Sequence, residues 1–525
     1  MDNKMKLIVT AALATLLPLC ALAQRPDGKE EALQKLHYAE MAISNLYVDT
    51  VDDKQLVEHA IRGMLKELDP HSSYTTAKET KSMTESLQGS FEGIGVQFNI
   101  SQDTLLIIQT VPNGPSEKVG ILAGDRIISV EDTTIAGVKM AREDIMRRLR
   151  GKKGTKVRLK IMRRGISEML DFTVTRDKIP VHTVDAAYMI RPQVGYIRIS
   201  SFGAATHKEF MQGVDSLKRH GMKDLIVDLQ ENGGGYLQSA VQMANEFLQD
   251  NDLIVYTEGR ATRRQEFRAD GKGSLLEGRV MVLVNEYSAS ASEILAGAIQ
   301  DQDRGQIVGR RSFGKGLVQR PIEFPDGSMI RLTVAHYYTP SGRCIQKPYE
   351  KGDKESYEMD IEKRFKHGEL YCRDSIHFAD SLMFHTLRRK AVVYGGGGIM
   401  PDFFVPLDTT QYTTYHRQIS ARGIIISSSL RYVDQNRKQL KKEYSSFDDF
   451  NARFEVPESL MHELYDEAEK ANVKPKDDGQ QRSERMLKVQ LKALIARDIW
   501  DMNQYFQIIN EENHIVRKAL QLLGE

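Results

Sequence analysis

Between residues 25 and about 85 the apolar residues recur at helical spacing: Leu33, Leu36, Met41 and Ile43, then Leu56, Ile61, Met64, Leu65 and Leu68. Asp69-Pro70 stops the second run. From Gly89 to about Arg176 the pattern shortens into β-like stretches around Gly95–Phe98, Leu105–Ile108, Asp125–Val130 and Val157–Ile161. An amphipathic helix, Arg142 to Leu149, closes at Gly151. From Val194 strands and helices alternate: strand Val194–Ile199, helix His207–Arg219, buried strand Leu225–Leu229, a glycine turn at 233–235, helix Leu237–Leu248 and strand Val280–Val284. That alternation predicts a β-α sheet core. Residues 317–338 read as strands around a turn at Pro325-Asp-Gly327, and after about residue 411 helical spacing returns.

A chain of 525 residues exceeds one core. With 73 basic and 72 acidic residues it carries no field that would favour nucleic acid. At the N-terminus Lys4 and Lys6 precede an apolar run from Leu7 to Leu19, and Ala21-Leu-Ala23 forms a small-x-small cleavage pattern. This predicts a cleaved signal peptide, because about 13 apolar residues are too few to span a bilayer. Cys20 invites a lipoprotein reading, but Leu19 before it is larger than that signal tolerates. The mature protein is therefore expected in an exported compartment, the bacterial periplasm, without stable membrane insertion. Cys344 and Cys372 would remain, as a disulfide or as free thiols. The scattered histidines and cysteines predict no metal site and no cofactor.

The chemistry concentrates where strand Val280–Val284 runs into a turn carrying Ser288, Ser290 and Ser292, followed by a helix. A hydroxyl at a strand-to-helix junction sits beside outward-pointing N–H groups that can receive developing negative charge. Lys315 follows between Gly314 and Gly316. Glycines there let the backbone approach closely, and burial of an unpaired amine lowers its pKa toward a neutral, basic form. Gln319 is placed to hold that amine by its amide oxygen. Ser312-x-x-Lys315 superficially matches a penicillin-binding element, but Gly314 and Gly316 oppose the helix that motif needs. Asn232-Gly-Gly-Gly235 follows the strand ending at Leu229, so parallel strand order would bring it beside Ser290 as the second half of an oxyanion hole.

The block Asn285–Asp301, Arg304, Gly309 and Phe313-Gly-Lys-Gly-Leu-Val-Gln319 resembles the carboxyl-terminal processing, or tail-specific, proteases. These are Ser-Lys endopeptidases with an embedded PDZ domain. The resemblance implies Ser290 as nucleophile, Lys315 as general base and Gln319 as its orienting group. It implies an oxyanion hole from the N–H of Ala291 and of Gly233 or Gly234. It also implies tail-carboxylate binding at Gly93, Ile94, Gly95 and Val96. Three positions depart from the family pattern: Gln230 where arginine is usual, Gly233 where proline is usual, and Tyr287 in place of a common glycine.

The expected fold is α/β and multidomain: a β-α sheet core of the ClpP/crotonase-like kind, an inserted PDZ-like domain, and helical N- and C-terminal regions. The division expected is signal peptide 1–23, helical domain 24–88, PDZ-like domain 89–176, protease core 177–410 and helical domain 411–525. The expected activity is an exported serine endopeptidase acting at or near protein C-terminal tails, with the PDZ-like domain gating the cleft. Two alternatives stay open: a catalytically silent PDZ-type adaptor, and a small-molecule esterase or amidase using the same nucleophile. Helical stripes such as Leu33–Ile43 and Leu487, Leu491, Leu494 and Ile495 either pack on their own chain or pair two chains as a homodimer.

Overall fold

A computed structural model describes residues 28–101 and 103–524. Residues 1–23, expected from the sequence to be a signal peptide, lie outside the described residues. Helices α1 (Gly28–Leu46) and α2 (Asp53–Lys66) form the N-terminal hairpin, followed by strand β1 (Ser73–Thr75) and helix α3 (Ala77–Leu87). Asp52 caps α2 by accepting from the Gln55 N–H, and Thr76 with Glu79 forms a capping box on α3.

A two-stranded ribbon pairs β2 (Ser90–Gly93) antiparallel with β8 (Asp177–Pro180) and marks the entry and exit of an inserted unit. Within it β3 (Val96–Ser101), β4 (Thr104–Thr110), β5 (Arg126–Val130), β6 (Lys156–Met162) and β7 (Leu170–Thr175) form one sheet in the order β3-β4-β5-β6-β7. Helix α4 (Arg142–Leu149) covers it with Ile145 and Leu149. Its acidic first turn and basic last turn suit the helix dipole.

The central sheet runs β9-β10-β11-β14-β15-β18, from strands Val184–Arg191, Val194–Ile199, Asp224–Asp228, Val280–Val284, Gln306–Gly309 and Phe403–Phe404. Only the β9–β10 pair is antiparallel. On one face lie α5 (Thr206–Arg219), α6 (Leu237–Asn245) and α7 (Ala291–Asp301), packed on Val280, Val282 and Val284. The other face, Met281 and Leu283 among it, is covered by α13 (Met502–Asn510) and α14 (His514–Leu522) through Phe506, Ile515, Val516 and Leu520. Burial on both faces explains why β14 is an unbroken apolar run.

A second sheet combines β1, β12 (Leu253–Glu258), β13 (Gln265–Arg268), β16 (Leu317–Glu323) and β17 (Met329–Tyr338), all antiparallel. The β-α alternation on which the ClpP/crotonase-like expectation rested is thus only part of the core. Such alternation fixes layers, not a fold family. Helices α8 (Thr414–Ala421), α9 (Ile424–Glu443), α10 (Phe447–Arg453), α11 (Glu458–Lys470) and α12 (Gly479–Ile499) build a further core, which Ile508 of α13 joins. The α12 stripe Leu487, Leu491, Leu494 and Ile495 is buried in it. Among the described residues no helix is long and apolar enough to cross a membrane.

Candidate active site

The turn after β14 is built by its outer serines. Ser288 Oγ donates to the Leu229 carbonyl at 2.8 Å and Ser292 Oγ to the Asn232 carbonyl at 2.8 Å, and both serines are fully buried. They tie the turn to the end of β11, which pairs in parallel with β14 from Leu225↔Val280 to Asp228↔Leu283. Ser290 alone of the three is half-buried, at the mouth of a cleft of about 970 Å³. It sits at φ 57°, ψ −114°, a region non-glycine residues seldom occupy.

Gly234 comes against this serine. Its φ is +99°, and a Cβ there would lie 2.7 Å from Ser290 Cβ and 2.9 Å from the Ala291 nitrogen. Only glycine fits such an approach. The Gly234 N–H is already engaged, donating to Asn232 Oδ1 at 2.9 Å. Among the described residues the Gly233 and Ala291 N–H groups donate to no protein acceptor, so they are the donors still open to an incoming oxygen.

Lys315 reaches the same cleft from the loop before β16. At Gly316 a Cβ would stand 2.8 Å from the Gln346 nitrogen, so that loop also needs glycine. Burial, reinforced by the positive charge of Arg331, lowers the Lys315 pKa to about 8, against the opposing pull of Glu293 and Asp69. Among the described residues its Nζ forms no hydrogen bond or ion pair. Gln319 lines the cleft too, but its Nε2 donates to Thr333 Oγ1 at 3.3 Å and to the Leu317 carbonyl at 3.4 Å rather than the amide meeting Lys315. Thr333 Oγ1 donates onward to Asp69 Oδ1 at 3.0 Å.

Two residues of the site escape sequence reasoning. Glu293 is completely buried and accepts four hydrogen bonds: Ser290 N at 2.8 Å, Lys315 N at 2.9 Å, Gly314 N at 2.7 Å and Ser312 Oγ at 2.5 Å. One carboxylate therefore pins the serine turn to the lysine loop. Burial pushes its pKa up, and these four donors oppose the rise. Its signal was the Ser290-x-x-Glu293 capping-box spacing. Tyr337 is also buried, and its hydroxyl reaches the carbonyls of Ser290 at 3.1 Å and of Lys315. Nothing in its local sequence marks that role.

Gly93–Val96 lies away from the cleft, at the β2–β3 junction. Gly95 has φ +73°, and the Ile94 carbonyl accepts from Ser116 N at 3.0 Å and Oγ at 2.7 Å. Among the described residues strand β3 bonds only to β4, which leaves its outer edge open to a further strand. Cys344 and Cys372 are free thiols, the first half-buried and the second exposed. Among the described residues no group of three or more His, Cys, Asp or Glu could hold a metal ion.

Residues 193–355 match Peptidase family S41, and residues 93–175 match a PDZ domain. Residues 18–80 match the activating protease CtpB N-terminal domain, and residues 415–501 a family of unknown function. The carboxy-terminal processing protease CtpA of Bacillus subtilis is 35% identical over 378 residues, covering 69% of this chain and 80% of that protein. CtpB of the same organism is 36% identical, covering 62% and 68%. The carboxy-terminal-processing protease of Bartonella bacilliformis is 38% identical, covering 57% and 69%. The S41 assignment corrects the ClpP/crotonase-like core expected from the sequence, to which none of these matches points. With an S41 match, a PDZ match and 35% identity over 80% of CtpA, the chain belongs to the carboxy-terminal processing proteases, serine endopeptidases that act on C-terminal tails.

Proposed function

We propose that Ser290 is the nucleophile and Lys315 the general base of peptide hydrolysis. Both side chains line one cleft, and the half-buried lysine, whose amine has no hydrogen-bond or ion-pair partner among the described residues, has a pKa lowered to about 8. The observation that carries the reading is that one buried carboxylate, Glu293, holds Ser290 and Lys315 to the same cleft; the lowered pKa suits the role, since a lysine takes a proton only when neutral. Ser290 Oγ attacks the peptide carbonyl as its proton passes to Lys315 Nζ, and the carbonyl oxygen meets the N–H groups of Ala291 and Gly233. Lys315 then protonates the leaving amine, and water entering by the same route releases the acyl group. In this reading Gln319, which lines the same cleft, orients the Lys315 amine through its amide oxygen, and Gly234 admits the serine by having no side chain.

Tail capture is assigned to the PDZ domain, with the carboxylate at Gly93–Val96 and the peptide added along the open edge of β3. The division 24–88, 89–176, 177–410 and 411–525 describes the sequence. Packing crosses its last boundary, because α13 and α14 cover the central sheet. Export to the periplasm follows from the pattern of residues 1–23. A homodimer formed through the N-terminal hairpin would cover the exposed apolar face that α1 presents.

The test is Ser290→Ala, assayed on an unstructured protein with a free C-terminus beside a small ester. Loss of cleavage of the protein with the fold intact supports the reading. Normal turnover by S290A contradicts it, and turnover of the ester alone by the wild type favours the esterase.

A further inference from the structure

The loop that carries the open Gly233 N–H hangs from the end of β11, and its support comes from an unexpected place. Asp228, fully buried, ends that strand. Its Oδ1 accepts from the Gln230 N–H at 2.8 Å, and its Oδ2 from the Tyr196 hydroxyl at 2.5 Å and from Arg198 Nη1 at 2.9 Å. Arg198 Nη2 donates at the same time to the Gln230 carbonyl at 3.0 Å. One guanidinium thus fixes both the carboxylate and the backbone at the root of the glycine loop. Behind it, Phe506 of α13 holds its ring centroid 4.8 Å from Arg198 Cζ. Asn513, which caps α14, reaches the buried Gln230 side chain at 3.4 Å.

We infer that Arg198 is a positioning residue for the oxyanion loop and that the C-terminal helices, through Phe506, hold it in place. The last two helices then act on catalysis from the far side of the sheet, without touching substrate. The planar fork explains why arginine is needed. Lysine could satisfy Asp228 or the Gln230 carbonyl, but not both in one fixed geometry. The carbonyl released by such a change belongs to the residue that begins the Gln230–Gly235 turn, so the root of the loop that carries the Gly233 N–H loosens. Displacements of about 1 Å at a reacting centre lower rates by about 10²-fold. This inference rests on the assignment of Ser290 and Gly233 made above.

The experiment compares wild type, Arg198→Lys, Phe506→Leu, the double variant and Ser290→Ala in the full-length chain. The substrate is an internally quenched peptide ending in a free carboxylate. R198K and F506L should each lower kcat by about 10- to 100-fold, with KM and melting temperature near wild type. The double variant should be no slower than the slower single one, because both changes break one chain of contacts. Should R198K fail to fold, F506L carries the test alone. Unchanged kcat in F506L and in folded R198K, or losses that track a lowered melting temperature, would overturn the inference while leaving Ser290 in place. Turnover by S290A would instead remove the assignment on which it rests.

Discussion

The two helical ends of this chain look alike in sequence and differ completely in packing. Helix α1 buries none of its residues, and Leu33 and Leu46 are 61% and 81% exposed. Helix α12 carries a similar stripe, yet Leu487, Leu491 and Ile495 are at 0%. The difference lies in what each stripe meets. Around α12 stand Tyr415, Ile419, Val433 and Leu464 from three neighbouring helices, whereas among the described residues α1 shares a short apolar groove with α2. Helical periodicity reports that a face will be covered. It carries no information on whether the cover is the same chain or another.

Three variants sharpen that contrast. Leu491→Ala in α12 removes a fully buried side chain and should destabilise the protein by about 2–5 kcal/mol, read from urea unfolding. A cost below about 1 kcal/mol would mean that this stripe is not a core. Next comes the junction between the PDZ domain and α9, where Asp434, mostly buried, meets Arg126 at 2.7 Å and Arg164 at 3.7 Å. Asp434→Asn should cost about 1 kcal/mol, because the pair is only partly shielded from water. It should also raise amide exchange in β5, and unchanged exchange there would show that the ion pair does not restrain the domain. The smallest effect on stability belongs to the N-terminal stripe. Leu33→Ala with Leu36→Ala should change monomer stability by about 0.5 kcal/mol or less. The same pair should shift the mass seen by light scattering from dimer to monomer. A monomeric wild type, or a dimer untouched by the change, would assign that face to something other than a second copy.

The same contrast runs through the active site. Strand Val280–Val284 and the turn at Ser290 were legible because a strand buried on both faces is apolar throughout and the serine turn follows it at once. Gly314 and Gly316 were legible as close-approach glycines. Strands β12 and β15 were not foreseen, since Leu253–Glu258 and Gln306–Gly309 are short and flanked by polar loops. Glu293 was hidden for a physical reason: a glutamate in a helix normally faces water, and only the folded chain shows four donors converging on it. Spacing places the Gln319 amide oxygen toward the Lys315 amine, and it leaves unforeseen the Thr333 partner of the amide nitrogen, 14 residues away across a hairpin. Side-chain targets set by register lie beyond local spacing.

The central claim is that Lys315, its pKa lowered by burial, activates Ser290 once it has given up its proton. The most direct measurement is kcat/KM against pH for the quenched peptide, with stability followed over the same range. A lysine with its pKa lowered to about 8 must lose its proton before it can act as base. The rate should therefore climb about tenfold per pH unit below about 8 and level off above it. A rate that stays flat between about pH 6 and 9, or that peaks and falls within that window, would contradict the account.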